Sequence, residues 1–125
     1  MGIPITHIGK SANNTSSSLR KCADNVNASI AGKGPVVGTQ KHAEFANQVN
    51  GLGNPSLRTE VSYLNGQQVA YGTKGSGRFD VVQYDSQGIP IHAWDFKMGG
   101  AVLTESRIRD MQFKSGLDIP IDMVK

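Results

Sequence analysis

The sequence predicts an α/β domain of the α+β kind, and three observations carry that reading. Apolar residues recur at the spacing of one helical face at Leu19, Cys22, Ala23, Val26 and Ile30, and again at Ile108 and Met111. Between these segments lie runs of strand formers separated by turn chemistry, at Asn65-Gly66 and at Asp85-Ser86-Gln87-Gly88. The 125 residues are enough for one core but not two, and 38% apolar content with 18% charged residues describes a folded chain, not a disordered one.

In chain order, residues 11–18 (SANNTSSS) are polar and low in complexity, and are expected not to pack. The first helix follows, stopped by Gly32. GKGPVVG breaks the chain, and Thr39 is expected to cap a second helix running through Val49 to Gly51, with Phe45, Ala46 and Val49 buried and Lys41, Glu44, Asn47 and Gln48 on its polar side. Strands are expected near 57–64 and 67–71, around the Asn65-Gly66 turn. TKGSG forms a basic loop, and RFDVVQY and IPIHAWDFK form two more strands. Thr104 caps a last helix that Gly116 ends, and IPIDMV gives a final short strand. The order is thus helix, helix, a sheet of about four strands, helix, strand. Residues 1–35 form a lead-in and first helix, and 36–125 the core of a single compact domain.

Net charge +3 and a pI near 9.2 suit a polyanionic partner. Cys22 is the only cysteine, which excludes an intrachain disulfide and a CxxC metal knuckle, and suits a core position. No apolar run approaches the roughly 20 residues of a membrane span, so the folded domain is expected to have no membrane partner, and the start MGIPITHIGK lacks the layout of a secretory signal.

The chemistry concentrates in AWDFKMGG. Side chains alternate across a strand, so Asp95 and Lys97 share a face with Ala93, while His92, Trp94 and Phe96 take the other. An even-length loop in the preceding hairpin pairs Asp80 with an odd-numbered residue near Ala93 or Asp95, which puts both carboxylates and the ammonium on one side. Carboxylates this close repel unless a cation lies between them. Mg²⁺ is the expected cation, since it favours one or two protein carboxylates plus water and phosphate oxygens. Mn²⁺ and Zn²⁺ are the alternatives. Acid, acid and lysine is a set suited to phosphodiester hydrolysis, and either Glu44 or Glu60 is expected to supply a further carboxylate. Gly99-Gly100 is either a plain turn or a place where a phosphate backbone comes close.

GSGRFDVVQYD followed by AWDFKMGGAVLTESRIRDM resembles the PD-(D/E)XK nuclease superfamily, and more narrowly the C-terminal nuclease toxin domains of bacterial polymorphic toxins of the contact-dependent growth inhibition and Rhs types. The resemblance spans residues 36–124. It implies a restriction-endonuclease-like core and a metal-dependent endonuclease with catalytic Glu44, Asp80, Asp95 and Lys97. The metal ligands would be Asp80, Asp95 and Glu60, and the substrate-binding residues Lys74, Arg78, Arg107 and His42. Phe79 stands where the motif's name has proline. The resemblance further implies DNA ahead of transfer RNA as substrate, export within a larger bacterial toxin, action in the target-cell cytoplasm, and neutralisation by an immunity protein. That protein is expected to be acidic because the cations around the cleft favour an acidic partner.

Three other readings compete. A noncatalytic nucleic-acid binding module would use Lys33, Lys41, Lys74, Arg78, Lys97, Arg107, Arg109 and Lys114 and would not need the acids. A metal-independent ribonuclease would use His42 and His92 as acid and base. A repair or restriction nuclease would share the site without being a toxin.

Overall fold

A computed structural model describes residues 3–125, with side chains from Asn14 onward. Helices α1 (Ile3–Ser29) and α2 (Pro35–Asn50) precede strands β1 (Leu57–Leu64), β2 (Gln67–Val69), β3 (Gly77–Tyr84) and β4 (Pro90–Phe96). Helix α3 (Glu105–Ser115) and strand β5 (Ile121–Val124) complete the chain. The fold is α+β: a five-stranded mixed sheet in the order β2-β1-β3-β4-β5, antiparallel except for the parallel β4–β5 pair, with three helices. No helix among the described residues is long and apolar enough to cross a membrane.

Two beginnings differ from expectation. Residues 11–18 are helical, although the side chains of 11–13 lie outside the described residues. Thr15 is buried on the same stripe as Leu19, Cys22 and Val26, so burial of one face carries the helix through residues of weak propensity. Helix α2 starts not at Thr39 but at Pro35, whose fixed φ and missing N–H suit the first turn. Thr39 then lies inside the helix, and its hydroxyl donates to the Pro35 carbonyl at 3.0 Å. Helix α3 begins and ends as its sequence predicts. Thr104 accepts from the Arg107 N–H at 3.1 Å, and Gly116 takes the left-handed conformation at φ 73°.

The sheet separates two cores. Under α1 and α2, the apolar stripe of α1 packs with Phe45, Val49, Trp94 and Phe96, so the first helix is part of the main core. Under α3 lie Val61, Tyr63, Phe79, Val82, Ala93 and Met111. Alternation assigns these faces except at one level. Leu57 and Val81 belong to the first core, yet Val61, four residues beyond Leu57, and Phe79, two before Val81, belong to the second. The break falls at Glu60, which has φ 54°; the β1–β3 ladder pairs Thr59 with Val81 and Val61 with Phe79 and skips Glu60 and Asp80 between them. A left-handed residue inside a strand rotates the chain as a bulge does, and bulges re-aim side chains.

Candidate active site

The acids meet as strand parity predicts. The β3–β4 register pairs Val81 with Trp94 and Val82 with Ala93, which carries Asp80 opposite Asp95. The two carboxyls are hydrogen-bonded to each other, and Asp80 also accepts from the Phe96 N–H at 2.7 Å. Burial first, and the shared hydrogen bond with Asp95 second, push Asp80 from the ordinary carboxylate range up to about 7. The shift favours a proton on Asp80, where two like charges would otherwise face each other. Lys97 closes the set, its Nζ 3.0 Å from Asp95 Oδ2, with both side chains more than two-thirds buried.

A cleft of about 650 Å³ opens over the acids, walled by α2, by Glu60, Tyr71 and Arg78, and by Arg107 of α3. His42 stands in its wall. Its Nδ1 lies 3.1 Å from the Gly38 carbonyl and its Nε2 3.2 Å from the Phe96 carbonyl, with Asp80 Oδ2 3.7 Å from Nε2. Through these two carbonyls the ring bridges α2 and β4. Its ring also meets the edge of Phe96, with centroids 5.2 Å apart.

Of the residues expected from sequence, the cleft lining brings together Asp80, Asp95, Glu60, His42, Arg78 and Arg107, and Lys97 joins them through its ion pair with Asp95. Glu44 is not among them. It borders a separate depression with Asn47 and Gln48, and its carboxylate accepts from Gln48 Nε2 at 2.9 Å. Residues two apart on a helix point roughly 200° apart, so with His42 facing the cleft Glu44 cannot. Glu60 lines the cleft, but among the described residues no group of three or more His, Cys, Asp or Glu side chains could hold a metal ion. The expected third protein ligand is therefore not in place. Lys74 is exposed on its loop outside the cleft lining. The two histidines of the ribonuclease reading are not brought together, for His92 pairs with Asp122 at 2.7 Å and stacks on Trp94.

Tyr71, half exposed in the cleft, is the residue that sequence reading missed. It was expected to end the second strand, which stops instead at Val69. The turn that places it depends on the Gly72 N–H donating to Ser62 Oγ at 3.0 Å and on Thr73 bonding back to Ala70, contacts that no local pattern announces.

The donor set fits a hard divalent cation in its two-carboxylate habit, with water and phosphate oxygens filling the remaining positions. No protein-family model, curated protein or solved structure matches the chain.

Proposed function

We propose that this chain is a metal-dependent endonuclease that hydrolyses phosphodiester bonds, DNA ahead of transfer RNA, as the toxin domain of a larger exported bacterial protein, and that an acidic immunity protein holds it in check. The observation that carries the reading is that Asp80 and Asp95, on two adjacent strands, line a cleft walled by Arg78 and Arg107, with Lys97 just past the end of β4 paired to Asp95. The element order lends support: a helix, antiparallel strands bearing first Asp80 and then Asp95 with Lys97 just past its end, a capped helix and a parallel strand follow the order that the resemblance implies.

The residues have distinct tasks. Asp80 and Asp95 would hold Mg²⁺, which would lower the pKa of a bound water and stabilise charge on the phosphate. Lys97, oriented by Asp95, neutralises charge that builds on the phosphate as the water oxygen bonds to phosphorus. The ester P–O bond breaks, the proton that the attacking water loses passes to solvent, and the leaving oxygen takes the electron pair and a proton from solvent. Arg78 and Arg107 bind backbone phosphates; Arg107 is positioned by Asp110 at 2.9 Å.

Incubation with plasmid DNA and with total RNA, first with Mg²⁺ and then with EDTA, tests the reading. Cleavage with Mg²⁺ should disappear in EDTA and in Asp95→Ala, and Lys97→Ala should lose about a hundredfold in rate. Undiminished cleavage in chelator refutes the metal site. An Asp95→Ala chain that binds a polyanion more tightly, with no cleavage by either protein, identifies a binding module instead.

A further inference from the structure

Beside the acid cleft, and sharing Gly38 and Met98 with it, lies a second groove of about 590 Å³ between the end of α1, the start of α2 and the Gly99-Gly100 turn. Of the described residues that line it none is acidic, and two are cationic, Lys33 and Lys41. Lys33 is exposed. Lys41 is held at the α1–α2 seam, where its Nζ donates to Asn27 Oδ1 at 3.1 Å, leaving two of its three donors for a ligand. The far wall is bare backbone: a Cβ added at Gly99 or Gly100 would meet no atom within 4 Å. Arg78 and Arg107 line the cleft itself, so cations occur in both of the joined depressions while the acids lie in the cleft alone.

The geometry points to a phosphate-binding subsite in this groove, in which Lys33 and Lys41 hold backbone phosphates of the polynucleotide strand whose scissile phosphate lies over Asp80 and Asp95. The inference rests on the nuclease reading for the identity of the strand and extends it. The strand runs through two depressions and is not capped at one, which is the arrangement for cutting within a chain. A polynucleotide backbone is the ligand the groove favours, because two ammonium groups without a balancing carboxylate form a point-charge site for phosphate, and the open glycine wall admits a bulky sugar-phosphate chain. The contacts carry no base information, so they act on affinity and register, not on sequence choice.

The test is a salt titration of binding to a fluorescent 20-nucleotide single-stranded DNA, and to an RNA of the same sequence, in EDTA so that no cleavage intervenes. Each lost phosphate contact removes about 0.7 from the slope of log K against log salt on a single strand. The Lys33→Gln/Lys41→Gln chain should therefore show a slope shallower by about 1.4 and, at 0.1 M salt, an affinity lower by about 25-fold, with the gap closing toward 1 M. Lys33→Gln alone, at an exposed position, should give half the slope change and guards against a folding defect. An unchanged slope in both variants, or no binding by the unmutated chain, overturns the subsite. Cleavage of the same oligonucleotides with Mg²⁺ is scored separately. A chain that cuts while the variants keep the original slope loses the groove but keeps the nuclease reading, and a chain that shows the slope change but never cuts does the reverse.

Discussion

Asp80 carries two opposed demands on one carboxyl. Under the proposed function it must be an anion to hold a cation, yet its burial and its bond to Asp95 favour the proton up to a pH of about 7. The sign of the stability effect follows. Between pH 4 and 7 the folded chain keeps a proton that the unfolded chain releases, so without metal this group makes stability fall as pH rises through that window and level off above it. Asp80→Asn is shaped like the protonated form, with an oxygen for the Phe96 N–H and a donor for Asp95. In EDTA at pH 8 the variant should be the more stable protein by roughly 2–4 kcal/mol, with the difference fading toward pH 4, while cleavage is abolished. Thermal melts of both proteins from pH 4 to 8 check this, and parallel curves would contradict the assignment. At this scale much of the site was legible, because strand parity alone decides that Asp80, Asp95 and Lys97 share a side. Glu44 was misread because helix polarity names a polar side without saying which part of it faces the sheet; the roughly 100° step per residue separates it from His42.

At the scale of elements, the helices and strands were largely readable because turn and cap chemistry is local: Asn65-Gly66, Thr104 and Gly116 sit where expected. The left-handed turn of the chain at Glu60 was not readable. Nothing in RTEVSY marks the residue at which the β1–β3 ladder lapses, since the lapse depends on two helical layers claiming opposite faces of the same strands. Gly116 shows how tightly those layers fit. A Cβ there would lie 2.5 Å from the Gly66 backbone nitrogen, whose N–H donates to the Ser115 carbonyl at 2.7 Å, so the end of α3 is seated directly on the β1–β2 turn. Gly116→Ala meets both this contact and the left-handed φ, and should cost about 2 kcal/mol or more, a melting temperature lower by roughly 5–10 °C. Gly38→Ala in α2 should have the opposite sign, a gain of about 0.5–1 kcal/mol, because its φ is ordinary and a new Cβ would touch only the Met98 methyl at 3.6 Å. Calorimetry of the two variants decides the matter, and equal melting points would refute the close seating of α3.

The whole molecule, as a small basic domain with an acid-floored cleft, makes a cellular prediction under the proposed function. Expression of the unmutated chain in bacterial cytoplasm should arrest growth, Asp95→Ala should not, and co-expression of an acidic protein encoded beside it should restore growth. Harmless expression of a chain that cuts in vitro would favour a repair or restriction nuclease over a toxin. The parallel seating of β5 also governs the order in which the molecule assembles. Strands β3 and β4 are joined by a short loop closed by Asp85, whose side chain accepts from the Gln87 and Ile89 N–H groups, and a hairpin of that reach zips in roughly microseconds. Strand β5 must wait for residues 97–120 to form α3 and cross the sheet, and α2 must return from far upstream, both slow because the contacts are distant in sequence. The two like-charged carboxyls are thus driven together at the outset, before His42 or any wall of the cleft has arrived. Because burial is the first cause of the raised Asp80 pKa, the proton is taken up only as the cleft walls close over the hairpin, so lowering the pH through 7 should favour these later steps and the final stability.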